Sequence, residues 1–188
     1  MPGNLCKLLG CLLLCSLPAG GSTATQQADP DTGLLSWKAA GQAFSIELIQ
    51  ILPDYVRAVY AARGLSQRII DDVSSYCVFG TIIRNTTAEP LSYRVADWRY
   101  ITPDGVRHRL KTKSEWVQEW RDMGVAFRWS MLAEEQTFAE GDWVQGFTTV
   151  KLPPDSRFDL EYSWSQHGKQ YTRIIEDMRC APVNVPNQ

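Results

Sequence analysis

The stretch Phe158-Asp-Leu-Glu-Tyr-Ser-Trp164 decides the fold. Phe158, Leu160, Tyr162 and Trp164 take every second position, and Asp159, Glu161 and Ser163 lie between them. Side chains alternate between the two faces of a strand, so this pattern gives one apolar and one polar face. It marks a strand of an antiparallel sheet with one side buried. Downstream, His167-Gly168 reads as a hairpin turn, Tyr171 to Cys180 as the last strand, and residues 182–188 as a short polar tail. Upstream, Pro153-Pro-Asp155 makes a turn, preceded by strands over Asp142–Val150, Gln136–Phe138 and Val125–Leu132.

Earlier in the chain the texture is similar. Cys77 to Arg84 is a β-rich run that ends in the turn cluster Asn85-Thr-Thr-Ala-Glu-Pro90. Leu91 to Ile101 alternates, Thr102-Pro-Asp-Gly105 is a turn, and Val106 to Lys111 is a basic strand. Ser114 to Gly124 is a short helix with a Ser cap and a Gly stop. Pro53 to Gly64 places Val56, Val59 and Tyr60 at helical spacing after a first-turn proline, and Ser66 caps a second short helix to Ser74. Phe44 to Leu52 suits a strand, with a helix as the alternative for so short an apolar run. Residues 25–43 read as an extended, mobile lead with Leu34, Leu35 and Trp37 as anchors.

The expected architecture is therefore mainly β, an antiparallel β-sandwich over residues 44–181 with a helical N-terminal elaboration at about 53–74. Several stretches carry a resemblance: Arg84-Asn85 before Pro90-Leu91, Asp97-Trp98-Arg99-Tyr100 before Asp104-Gly105, Phe138-Ala-Glu-Gly-Asp142 before Gly146-Phe147, and Leu152-Pro153 before Phe158-Asp-Leu160. In these features residues 77–180 resemble small secreted bacterial domains of immunoglobulin-like sandwich type. The resemblance implies an accessory or binding module of the cell envelope and names no reaction.

The chain has 188 residues, 44% hydrophobic and 21% charged, which excludes a disordered chain and a disulfide-dense miniprotein. Its formal charge of −2 argues against a basic nucleic-acid-binding face. Residues 1–24 read as an export signal: Lys7, an apolar run from Leu8 to Leu17, and a small-residue region ending at a cut after Ala24. Leu8-Leu9-Gly10-Cys11 has the shape of a lipidation box but lacks a preceding apolar run. No stretch is long enough for a transmembrane helix, and the expected location is periplasmic or secreted. Cleavage removes three of the five cysteines and leaves Cys77 and Cys180, which read as one disulfide stapling the first and last core strands.

Candidate chemistry is sparse. Trp116 and Trp120 are four apart on one helix face and form either a binding platform for sugar or peptide or a buried packing pair. His108 and His167, with Met123, Met131 and Met178, offer imidazole and thioether to copper but without local ligand spacing. Paired carboxylates occur at Asp71-Asp72, Glu134-Glu135 and Glu140/Asp142, as an enzyme acting on glycans would need. Arg63 and Arg84 are candidate buried partners of Asp71, Asp72 or Asp97. No nucleophile motif and no cofactor motif is found, and Asn85-Thr86-Thr87 is a formal glycosylation sequon. The leading expectation is a non-enzymatic binding or assembly module whose partner is an envelope protein or carbohydrate. Periplasmic copper handling is the alternative, and a glycan-acting enzyme the third reading.

Overall fold

Two antiparallel sheets pack face to face, and helices cover part of the outside of one of them. The computed structural model describes residues 24–128 and 130–185. The export signal, but for Ala24, and the end of the polar tail lie outside these residues. Among the described residues, no helix is long and apolar enough to cross a membrane.

The first sheet runs in the order β1 (Thr25–Ala28), β2 (Leu35–Gly41), β3 (Phe44–Ile51), β4 (Cys77–Asn85) and β9 (Trp143–Val150). Phe44–Ile51 is thus a strand, which resolves the strand-or-helix alternative. The lead over 25–43 is corrected: it supplies two strands of this sheet. Leu35, Trp37 and Ala39 alternate with Ser36, Lys38 and Ala40, and Trp37 is buried against Phe79. In the second sheet, β10 (Arg157–Gln166) pairs along its length with β11 (Lys169–Arg179). Its other edge is shared by β5 (Leu91–Arg94) and β6 (Arg99–Ile101), which in turn pair with β8 (Glu135–Phe138) and β7 (Arg107–Arg109). The expected strand from Leu91 to Ile101 is broken by a 3-10 turn at Val95–Asp97. At the break, the Trp98 indole N–H donates to the Ser163 carbonyl at 3.1 Å and so takes a place that a strand partner would fill.

The inward faces meet in one core that includes Trp37, Phe44, Phe79, Trp98, Phe138, Phe158, Tyr162 and Trp164. All four apolar residues of the 158–164 alternation lie in it. Cys77 and Cys180 bridge the two sheets, with Cα atoms 5.3 Å apart. Buried Gln50 adds a polar tie: its amide oxygen accepts from the Leu35 N–H at 2.7 Å, and its amide nitrogen donates to the Arg179 carbonyl at 2.8 Å.

A second core lies on the outside of the first sheet, under α1 (Pro53–Ala61), α2 (Gln67–Ser74) and α3 (Lys113–Asp122). Val56 and Tyr60 of α1, and Ile69, Ile70 and Val73 of α2, pack with Val78 of β4. Helix α3 starts two residues earlier than its sequence suggests. Thr112, not Ser114, is its cap, and a reciprocal capping box joins Thr112 to Glu115. Residues 125–128 and 130–132, expected as part of one strand, form none of the named strands. Ser130 and Leu132 bond Phe147 at the edge of β9 before the chain enters β8 of the other sheet.

Candidate functional site

Trp116 and Trp120 are not displayed. Both are fully buried in the second core, as i and i+4 on the inward face of α3. The Trp116 indole donates to the Thr149 hydroxyl at 3.0 Å, and Thr149 projects from the outer face of the first sheet. The Lys111 ammonium lies 3.4 Å over the Trp116 ring and ion-pairs with Glu119, which seals the indole from solvent. The platform reading of this pair is therefore corrected: α3 needs a large apolar face to hold it on the sheet, and these two residues supply it.

The copper ligands are not brought together either. His108 stacks on Tyr100 at 4.8 Å, and its Nε2 lies 3.4 Å from the Thr102 hydroxyl. His167 occupies the β10–β11 turn with its Nε2 3.2 Å from Glu89. His108 is level with Leu160 of β10, through Tyr100, so the two imidazoles are about 23 Å apart along the sheet. Met178 belongs to the inter-sheet core and Met131 to the core beneath the helices. Among the described residues no three His, Cys, Asp or Glu side chains gather at one point.

The acid pairs lie on separate elements: Asp71 and Asp72 in α2, Glu134 and Glu135 at the start of β8, and Glu140 and Asp142 in the following turn. Several have structural tasks. Asp71 accepts from Gln67, Glu134 accepts from the Ser114 N–H, and Asp142 accepts from the Ala139 N–H. The expected arginine partnerships do not form. Arg63 is exposed, and Arg84 lies over the exposed Trp143 ring at 5.3 Å. Asn85 of the sequon is buried, and its amide donates to the carbonyls of Glu89 and Ala139, so it organises the turn.

A polar concavity lies on the outer face of the second sheet, where the break between β5 and β6 opens a trough of about 510 Å³. Sheet register builds it. Thr137 opposes Ser92, Ser92 opposes Ser165, and Ser165 opposes Gln170, which gives a polar row across four strands about 14 Å long. Two residues along each strand lie Glu135, Arg94 and Ser163. Asp97 closes the trough from the 3-10 turn. The neighbouring positions Tyr93 and Trp164 turn their rings inward, to Phe138 and Phe44.

Arg94 is held by Glu135 at 3.4 Å. The hydroxyls of Ser92, Thr137, Ser163 and Ser165, the Gln170 amide and the Asp97 carboxylate are not used in the protein's own hydrogen bonds. Ser163 is notable among them because it is only 5% exposed. Sequence reading missed this site, since its signal was only the polar half of the alternation, Ser92/Arg94 and Ser163/Ser165.

No family model matches the chain. No curated protein matches it. Among solved structures, the chain is similar to a putative lipoprotein from Bacillus subtilis subsp. subtilis str. 168, at 10% identity over 84% of this chain and with a TM-score of 0.35. The chain spans 35% of that protein. A likeness so slight carries neither architecture nor function.

Proposed function

We propose that this chain is an exported, non-enzymatic binding module of the cell envelope, and that it binds through the trough on the second sheet. The observation that carries the reading is the set of unused hydroxyls and the Gln170 amide on one concavity, with the hydroxyl of the buried residue Ser163 among them. Ligand sites are concave and place a few polar groups where they fix orientation. The outside of the first sheet is partly committed to the helices, whereas the polar face of the second sheet is open at the trough. In this reading the sandwich is immunoglobulin-like in type and α1 and α2 elaborate its N-terminal half. The antiparallel pairing of both sheets and the Cys77–Cys180 bridge between them support that type. The export signal of residues 1–24 supports a periplasmic or secreted location.

The test is retention of the mature protein on an immobilised native envelope fraction. Ser92→Trp and Ser165→Arg fill the trough from half-buried strand positions whose side chains point away from the core. Each should lower retention at least tenfold, while Lys38→Ala on the other sheet leaves it unchanged. Equal retention of all four proteins would overturn the reading.

A further inference from the structure

The trough is chemically selective. Its side-chain groups include four hydroxyls and the Gln170 amide, which both donate and accept hydrogen bonds. The only cation, Arg94, is engaged by Glu135, and Asp97 leaves the trough with one net negative charge. Anions are therefore repelled. The trough lies on a sheet face between the open edges of β8 and β11, so a peptide lying across it meets side chains and not a ladder it could extend. Ser163 is only 5% exposed as a residue, and its hydroxyl, which bonds no protein group, opens to the trough, where a ligand group can reach it.

We infer that the ligand is an uncharged carbohydrate, bound by its hydroxyl groups across the row from Thr137 to Gln170, with one hydroxyl reaching Ser163. This rests on the reading of the trough as the binding surface and adds the ligand's chemical class. A hydroxyl-rich ligand matches groups that are themselves both donors and acceptors. The volume of about 510 Å³ falls within the range of small-molecule sites. No aromatic face is offered, because Trp164 and Tyr93 bury their rings, so affinity rests on hydrogen bonds in a wet site. Binding is accordingly weak, in the millimolar range.

The experiment is an amide-resolved NMR titration of the mature protein with four probes: cellobiose, N,N′-diacetylchitobiose, glucuronic acid and triglycine. A neutral disaccharide should shift the amides of 92–94, 135–137 and 163–165, whereas glucuronic acid and triglycine leave them in place. Ser163→Ala should weaken the disaccharide about fivefold, as loss of one hydrogen bond does, and the exposed Gln170→Ala should weaken it similarly with no change to the core. The Asp97→Asn/Glu135→Gln double variant frees Arg94. It should keep neutral-sugar affinity within about twofold, given the small worth of exposed charges, and should admit glucuronic acid. If triglycine shifts the trough and no sugar does, the carbohydrate class is wrong while the binding reading stands. If no sugar shifts it although envelope retention still depends on Ser92 and Ser165, the class again falls alone. If retention is also independent of the trough, both readings fall.

Discussion

Gly146→Ala tests the joint between the two sheets. A Cβ at Gly146 would lie 2.5 Å from both the backbone N and Cα of Leu132, and 2.8 Å from the Met131 carbonyl carbon. These are backbone atoms and cannot swing aside like the end of a side chain. Moving them to ordinary contact disturbs two hydrogen bonds, from the Leu132 N–H to the Phe147 carbonyl at 2.9 Å and from the Phe147 N–H to the Ser130 carbonyl at 2.8 Å. It also shifts Met131 and Leu132, which are buried in different cores. Overpacking costs about 1–3 kcal/mol, and the weakened hydrogen bonds add about 1 kcal/mol each at most. The expected loss is about 3–4 kcal/mol, or roughly 6–15 °C in Tm for a chain of this size. Urea unfolding followed by tryptophan fluorescence measures it. Gly64→Ala is the control: its φ is +72° but its Cβ would meet nothing within 4 Å, so backbone strain alone should cost about 1 kcal/mol. If Gly146→Ala costs no more than Gly64→Ala, the crossing of residues 130–132 against β9 is wrong.

Four further outcomes follow from the packing. Ala43 has φ +74° in the tight β2–β3 turn, where the Gln42 carbonyl accepts from the Trp164 indole and the Ala43 carbonyl from Thr86. Ala43→Gly should therefore stabilise the protein by about 1 kcal/mol in denaturant titration. Replacing Cys77 and Cys180 by alanine opens a closure of 103 residues and should cost about 4–5 kcal/mol in the same assay. Gln50→Leu leaves the Leu35 N–H and the Arg179 carbonyl without their partner and should cost about 2–3 kcal/mol. Burial raises the Tyr60 and Tyr162 hydroxyls from 10 to about 12. Unfolded tyrosines release protons from pH 10 while the folded ones hold theirs, so this stability is complete below pH 10 and lost as pH rises toward 12. Tyr60→Phe should flatten that alkaline loss in pH-dependent melts.

Strand alternation was a strong local signal, and it located the inter-sheet core. Phe158 to Trp164 pack inward as their spacing requires, and the Cys77 and Cys180 strands lie close enough to bridge. The same signal was present in Leu35, Trp37 and Ala39 but was obscured by the polar residues before it, so β1 and β2 read as a lead. The break at Val95–Asp97 was not legible, because Trp98 compensates for it from a distant strand through Ser163. For Trp116 and Trp120, spacing showed a shared face but not what lay opposite it; burial against Thr149 depends on tertiary packing. The trough was the least legible part. Ser92, Thr137, Ser165 and Gln170 each look like an ordinary solvated strand position, and only the sheet register sets them side by side.

In the proposed function, ligand meets this protein at the trough. Photo-crosslinking in native envelopes tests it directly, with a benzophenone amino acid placed at exposed Gln170 or, as a comparison, at Ala40 on the outer face of the first sheet. A ligand-dependent adduct is expected from position 170, suppressed by excess neutral disaccharide, and none from position 40. Equal adducts at both positions, or an adduct from position 40 alone, would contradict it.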